Sequence, residues 1–187
     1  MFQAACQMLD GKDPADIAEK SGILFDGDAF CVESMGRSFR FSYPAYLCDQ
    51  QLNEWHCLII MHYLNLADGF PVAGEPIPLS DMPDGVIRGT KYDKAAAESI
   101  SKFLIGKSED DVRAVLMKLG AEFLPGKADL NVKLPFLPRF PLYLNIWFAD
   151  DEFPPSARLF VDRSAGHYLT VEDAVMIGEV LLELFRK

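Results

Sequence analysis

The segment FPLYLNIWFADDEFPPSARLFVD, residues 140–162, has the pattern of a β-hairpin whose two faces differ in chemistry. Successive side chains of a strand point to opposite faces. One face carries Leu142, Leu144, Ile146 and Phe148, followed on the second strand by Ala157, Leu159 and Val161. The other face carries Tyr143, Asn145, Trp147, Arg158, Phe160 and Asp162. The first face is predicted to be core, with Pro154 and Pro155 in the turn.

The second face mixes aromatic rings with an amide, a guanidinium and a carboxylate. This composition is typical of a ligand-binding surface with a few orienting polar groups, and also of a sheet face half covered by another element. The sequence leaves both alternatives open. The candidate binding residues from this face are Asn145, Trp147, Arg158 and Asp162.

The residues that follow, RSAGHYLTVED, lead from the hairpin into the last helix. Thr170 and Asp173 have the spacing of a capping box, which predicts that the helix begins there. His167 lies in the preceding loop, five residues after Asp162. Two alternatives remain for it, an acid/base pair with Asp162 or a hydrogen bond that only orders the loop. His167 and its neighbour Tyr168 are therefore candidate site residues.

A variant of the acid/base hypothesis adds a divalent metal ion. Asp150 or Glu152 would supply hard oxygen ligands beside one imidazole, a set that suits magnesium, manganese or zinc. The position of these acids in a hairpin turn explains them without a metal. We predict no resident metal and no cofactor.

Upstream of the hairpin, the pattern alternates between helices and proline-rich segments. Pro135, Pro138 and Pro141 cannot donate ladder hydrogen bonds, which predicts a corner at a sheet edge or outside the sheet. Two helices are predicted at 93–106 and 108–120, the second with a capping-box start at Ser108. The connection at 70–92 is rich in proline and glycine, so it is either a lid over a binding site or a strap over a sheet edge.

The N-terminal half contains two short helices, a hairpin and one long apolar helix. The short helices begin at Phe2 and at Asp13-Pro14, and the hairpin covers residues 29–43. The long helix is predicted to be capped by Asp49 and to end at Gly69. His56 and His62 are six residues apart on it, so they point to different faces and do not share a metal. His62 is kept as a candidate ligand-binding residue.

Composition excludes several classes of function. The net charge of −10 repels nucleic acid and anionic membranes. The N-terminus lacks signal-peptide features, and no apolar run approaches the roughly 18 residues of a membrane-spanning helix, so a cytoplasmic location is expected. The four cysteines are irregularly spaced, which predicts buried free thiols and neither a zinc site nor an iron–sulfur cluster.

Antiparallel hairpins with helices grouped between them indicate an α+β fold, with a mixed or antiparallel sheet and helices packed around it. We predict a single domain over residues 1–187 and find no internal repeat.

Three segments resemble the DUF3786 family, a bacterial and archaeal domain of unknown function. They are DPADIAEKSGILFDG, IIMHYLNLADGFPVAGEPIPLSDMPDG and the stretch from FPLYLNIWFADDEFPPSA to HYLTVED. The positions that match its most specific segments are His62, Asp68, Gly69, Glu152, Pro154, Ser156, Asp162, His167, Tyr168 and Asp173. The resemblance implies an origin in anaerobes and an accessory link to corrinoid or iron–sulfur metabolism. The cysteines here do not reproduce the cluster-binding module that some relatives carry.

Three hypotheses follow for the function. The first is a non-catalytic accessory module that binds a small molecule or a protein through the mixed hairpin face, the His167-Tyr168 loop and the proline-rich loop. The second is an enzyme that uses His167 and Asp162 as an acid/base pair or a metal-assisted site. The third is a structural subunit that forms a homodimer through exposed aromatic residues.

Overall fold

The computed structural model describes residues 1–185, except for the side chain of Arg88. The helices are α1 (Phe2–Gln7), α2 (Pro14–Ser21), α3 (Glu54–Leu66), α4 (Gly85–Leu104), α5 (Glu109–Lys118) and α6 (Val171–Phe185). The strands are β1 (Leu24–Phe25), β2 (Ala29–Ser34), β3 (Arg37–Ser42), β4 (Pro76–Ile77), β5 (Glu122–Leu124), β6 (Leu130–Leu137), β7 (Phe140–Trp147) and β8 (Ser156–Asp162). Two short 3-10 helices occupy Leu79–Asp81 and Arg163–His167.

The strands form two antiparallel sheets, which confirms the predicted α+β class. The smaller sheet has the order β1-β2-β3, and the larger has the order β4-β8-β7-β6-β5. A continuous hydrophobic core joins buried residues of both sheets and of the helices, among them Phe30, Ile60 and Leu144. No helix in residues 1–185 combines the length and the apolar character that crossing a membrane requires.

The β7–β8 hairpin has the two faces that its alternation predicts. Leu142 pairs with Val161, Leu144 with Leu159 and Ile146 with Ala157, and all six side chains are buried in the core. Their burial removes apolar surface from water, which is the main stabilising contribution of such a face. The mixed residues consequently lie together on the opposite side of the sheet.

The helix α3 begins later than predicted. Asn53, not Asp49, is its N-cap, and the Asn53 side chain accepts hydrogen bonds from the amides of Trp55 and His56. Asp49 instead extends the pairing along β3, where its amide donates to the carbonyl of Arg40. Both residues are good helix caps, and pairing with the neighbouring strand decides between them. The helix also ends earlier, at Leu66.

The predicted connection at 70–92 is largely ordered. Pro76–Ile77 pairs with the edge of β8, and α4 already begins at Gly85. The observed arrangement is therefore the strap over a sheet edge. We define residues 67–75 as the strap. The sequence pattern suggested a loop because Gly85 and Gly89 are poor helix formers.

The proline-rich corner lies inside the large sheet, which corrects the prediction of an edge. Pro135 belongs to β6 and Pro141 to β7, and the register between these strands shifts between Leu134 and Leu137. Such a bulge leaves a residue outside the ladder, so a proline is accommodated there. The carbonyl of Pro135 accepts a hydrogen bond from the amide of Met35 and so joins the two sheets.

The four cysteines are unpaired, as predicted, but they are half-buried and not fully buried. Burial raises the pKa of the Cys57 thiol to about 11 and also raises the pKa of Cys6 and Cys48. A thiol with a raised pKa holds little thiolate at neutral pH and is a poor nucleophile or metal ligand.

Candidate functional site

The mixed face of the large sheet, here called the outer face, carries six of the predicted aromatic and polar side chains. Tyr143 lies opposite Phe160, and Asn145 lies opposite Arg158. Asn145, Trp147 and Phe160 are half-buried and Arg158 is exposed, whereas Tyr143 and Asp162 are buried. The outer face is therefore accessible at the end that carries Trp147 and covered at the end that carries Asp162.

The seven predicted site residues consequently fall into two groups. Asn145, Trp147 and Arg158 belong to the hairpin end of the outer face. Asp162, His167, Tyr168 and His62 belong to the strap end. The pairs Trp147–Ser156 and Leu142–Val161 mark the two ends of the shared ladder. These ends are roughly 17 Å apart at the usual rise of a strand, so the structure does not bring all seven residues into one site.

A cleft of about 670 Å³ lies at the hairpin end. Its lining includes three aromatic residues, two acids and one base: Trp147, Phe148, Phe153, Asp129, Asp150 and Arg158. Two of these, Trp147 and Arg158, are residues that the sequence selected. Its volume lies in the usual range of small-molecule sites, about 300–1,000 Å³. We call it the hairpin-end cleft.

Both carboxylates of this cleft are positioned by backbone amides. Asp129 accepts a hydrogen bond of 2.7 Å from the amide of Phe148 through Oδ2. Asp150 accepts hydrogen bonds of 2.9 and 2.7 Å from the amides of Glu152 and Phe153 through Oδ1. These amide hydrogen bonds lower the pKa of Asp150. Asp150 is therefore ionised at neutral pH and fixed in direction, while its Oδ2 atom remains available.

The polar groups of Trp147 and Arg158 make no hydrogen bond or ion pair with any residue in the range 1–185. Asn145 lies between them and the buried Tyr143. A half-buried indole N–H and an exposed guanidinium without protein partners can both donate to a ligand. The hairpin-end cleft therefore offers two donors beside two fixed carboxylates.

Asp162 at the other end is a structural residue in this arrangement. Its carboxylate accepts hydrogen bonds from the amides of Ala73, Gly74 and Ser164, from the Ser164 hydroxyl and from the Tyr143 hydroxyl. Burial raises the pKa of Asp162, but hydrogen bonds from Ser164, Ala73 and Gly74 outweigh this effect and lower it. The carboxylate thus holds the strap against the sheet.

The predicted pair of His167 with Asp162 does not form. The Nδ1 atom of His167 lies 2.7 Å from Oδ2 of Asp68, and its ring stacks on Phe70 with centroids 3.9 Å apart. Because five other donors occupy Asp162, it has little capacity left for an imidazole. The buried Tyr168 also serves the strap, since its hydroxyl donates to the carbonyl of Phe70.

His62 forms a second pair of the same kind. Its Nδ1 atom lies 2.6 Å from Oδ1 of Asp173, the residue that completes the capping box of α6 with Thr170. The segments HYLNLAD (62–68) and HYLTVED (167–173) share a histidine followed six residues later by an aspartate. Each histidine binds the aspartate of the other segment. This short repeat corrects the prediction of no repeat and could have identified Asp68.

A metal site at the predicted acids receives no support from the geometry. Asp150 and Glu152 lie at the hairpin end, and His167 lies at the strap end. In the part of the chain that the structure describes, no group of three or more histidine, cysteine or acidic residues is arranged to hold a metal ion.

A second cavity, of about 580 Å³, lies between the two sheets. It is lined by Met35, Val72, Lys133, Pro135 and Pro141, among others, and by none of the seven predicted residues. Val72 is part of the strap, so this cavity borders the segment that Asp162 and Tyr168 hold in place.

An open antiparallel sheet with helices on one face and a lined cleft on the other defines the class of this protein as an α+β binding fold without a recognised catalytic motif. The comparison with family models matches the domain of unknown function DUF3786 over residues 13–184, and the chain belongs to that family. The comparison with curated proteins finds no match, and the comparison with solved structures finds none either.

Proposed function

We propose that this protein is a binding module for a small organic molecule and that the hairpin-end cleft is its site. One observation carries the proposal. Trp147 and Arg158, which the sequence pattern selects as ligand-binding residues, line the same cleft of about 670 Å³. Aromatic walls with a few fixed polar groups are the usual composition of such sites.

Two further features support a ligand over a purely structural role for this face. The guanidinium of Arg158 has no partner within residues 1–185, and the two carboxylates each have an oxygen directed away from the amides that fix them. Charged groups held in place without mutual ion pairs are ready to bind an oppositely charged group. A protein partner that inserts a side chain into the cleft would use the same contacts.

The broader role belongs to the same proposal. Family membership, together with the resemblance described above, supports an accessory function in anaerobic metabolism, in the cytoplasm, for which a ligand-binding module without its own cofactor is suited. A homodimer is the alternative use of the exposed aromatic residues, and light scattering measures it directly.

Tryptophan fluorescence tests the binding site. The chain has two tryptophans, so the variant W55F leaves Trp147 as the only one. A metabolite panel is first screened by thermal shift, and the hits are titrated into W55F. We expect the hits to change the Trp147 emission and R158A to weaken binding by about tenfold or more, the effect of losing one charge-assisted hydrogen bond. R163A, which removes an exposed arginine paired with Glu75, is the matched control.

Acid–base chemistry by His167 is the second candidate function, and one observation favours it. Its Nδ1 atom is held by Asp68, and its Nε2 atom makes no hydrogen bond with any described residue. A carboxylate in that position orients an imidazole and increases its basicity. The rate at which diethyl pyrocarbonate modifies His167, read by mass spectrometry, should fall in D68N. Equal rates in both proteins would exclude activation by Asp68.

A further inference from the structure

We infer that the ligand of the hairpin-end cleft is an organic cation that carries a methylated ammonium group. The inference rests on the proposed function, because it specifies the chemistry of the molecule that this cleft binds. It follows from the combination of aromatic and acidic residues in the lining.

The aromatic residues favour a cation that is weakly hydrated. Trp147, Phe148 and Phe153 line one cleft, and the first two are half-buried while Phe153 is exposed on the hairpin loop. The face of an aromatic ring attracts a cation, most strongly for tryptophan, and clusters of aromatic rings recognise quaternary ammonium groups. A compact ammonium or a metal ion is held more strongly by water, so methylated nitrogen suits these rings better.

The carboxylates determine the sign of the charge. Asp129 and Asp150 line the same cleft, and neither forms an ion pair with any side chain in the described part of the chain. The amides of Phe148, Glu152 and Phe153 hold them in position. The net charge of −10 adds to the attraction of cations. A simple anion would meet two carboxylates in this cleft and is therefore disfavoured.

Arg158 specifies the remainder of the ligand. It lines the same cleft but forms no ion pair with Asp129 or Asp150. A guanidinium in this position can bind a carboxylate with two parallel hydrogen bonds. The cleft consequently fits a molecule with a methylated ammonium at one end and a carboxylate or another acceptor at the other.

Three probes of similar size separate charge from shape. W55F protein is titrated with choline, with its neutral carbon isostere 3,3-dimethyl-1-butanol, and with glycine betaine, all at constant ionic strength. We expect choline to change the Trp147 emission with an affinity about tenfold or more above that of the isostere, as a desolvated cation–π contact implies. We expect R158A to weaken glycine betaine and to leave choline unchanged or tighter.

Matched variants test the acidic side. D129N and D150N keep an oxygen that can accept from the amides of Phe148 and Phe153, so both variants should fold, and circular dichroism checks this. We expect the double variant to lose most of the preference for choline over its isostere. D151N, in the same loop but outside the lining, should retain it.

The outcomes separate the two proposals. If the isostere binds as well as choline, or if neither choline nor glycine betaine binds while other metabolites change the Trp147 emission, the cation assignment is wrong and the binding function stands. If no molecule of the panel changes the Trp147 emission and none shifts the melting temperature, both proposals are wrong.

Discussion

The Nδ1 atom of His62 lies 2.6 Å from Oδ1 of Asp173, so one hydrogen bond ties α3 to the first turn of α6. The pair of His167 and Asp68 joins the same two regions in the opposite sense. Between the pairs, the rings of Tyr63 and Tyr168 stack with centroids 5.5 Å apart. The two HYL segments are thus held together by reciprocal contacts, which fix the start of the strap.

The first prediction concerns the pH dependence of the His62–Asp173 pair. The hydrogen bond from Asp173 raises the pKa of His62. Burial raises the pKa of Asp173, but the hydrogen bonds with His62 and Thr170 outweigh it and lower this pKa. A raised histidine pKa gives stability that is complete below the unfolded value of about 6.5. That stability is lost as the pH rises through the folded value.

We therefore expect the free energy of unfolding of the wild type to fall by about 1 kcal/mol between pH 6 and pH 9 through this pair, the usual size of a partly exposed charge-assisted hydrogen bond. Urea unfolding at the two pH values measures it. H62Q does not titrate and should show a smaller decrease. An equal decrease in both proteins would mean that the pair does not contribute.

His56 should respond to pH in the opposite direction. Ser34 donates its hydroxyl proton to the carbonyl of Phe136, so its oxygen accepts from Nε2–H of His56 at 2.9 Å. The buried Nδ1 atom is left without a partner among the described residues. Burial, followed by the charge of Arg37, lowers the pKa of His56 to about 4.

Because the unfolded chain takes up this proton at a pH of about 6.5, the contribution of His56 to stability declines as the pH falls from 6.5 towards 4. We expect a loss of about 2–3 kcal/mol in the free energy of unfolding over that interval, which H56F should reduce. Imidazole nitrogen NMR of the wild type supplies a second measurement. It should show a neutral ring protonated on Nε2 at pH 6, and a charged ring would contradict the assignment.

The substitution D162N should release the strap. An amide in place of the carboxylate presents an NH₂ group to donors that now reach a charged acceptor, among them the amides of Ala73 and Gly74. We expect a loss of about 2–4 kcal/mol, as for a buried charged acceptor with several hydrogen bonds. Hydrogen exchange at Ala73 and Gly74 should accelerate. Unchanged exchange at both amides would show that other contacts hold the strap.

Much of this fold follows from local patterns in the sequence. The faces of the β7–β8 hairpin, the cap at Asp13 and the capping boxes at Ser108 and Thr170 depend on neighbouring residues alone, and all are confirmed. The start of α3 was wrong because Asp49 and Asn53 are comparable caps. Long-range pairing along β3, which no local pattern contains, determines the choice.

The candidate site was predictable in part for the same reason. Alternation selected Trp147 and Arg158, and these residues do share a cleft. The partner of His167 was not predictable from spacing, because Asp68 lies 99 residues away in the chain while Asp162 is close to it. Only the repeated HYL pattern links the two segments, and a reciprocal pairing between them is a tertiary contact.

The last prediction sets helix propensity against tertiary contact. Alanine stabilises an exposed helix by up to about 1 kcal/mol relative to glycine, so propensity alone predicts that G89A stabilises α4. In the structure, a Cβ atom at Gly89 would lie 2.2 Å from Cα and 2.6 Å from the amide nitrogen of Ser80. Because the clash is with backbone, α4 would have to move away from the 3-10 helix Leu79–Asp81. We expect G89A to lower the melting temperature.

Gly178 in α6 provides the matched control, since a Cβ atom there would lie at an ordinary contact distance of 3.9 Å from Cβ of Ala96. We expect G178A to stabilise the protein by about 0.5–1 kcal/mol, because only the propensity difference acts at this position. Thermal unfolding of both variants gives opposite signs if α4 packs against Ser80 as described. Stabilisation by G89A would show that α4 does not approach that segment.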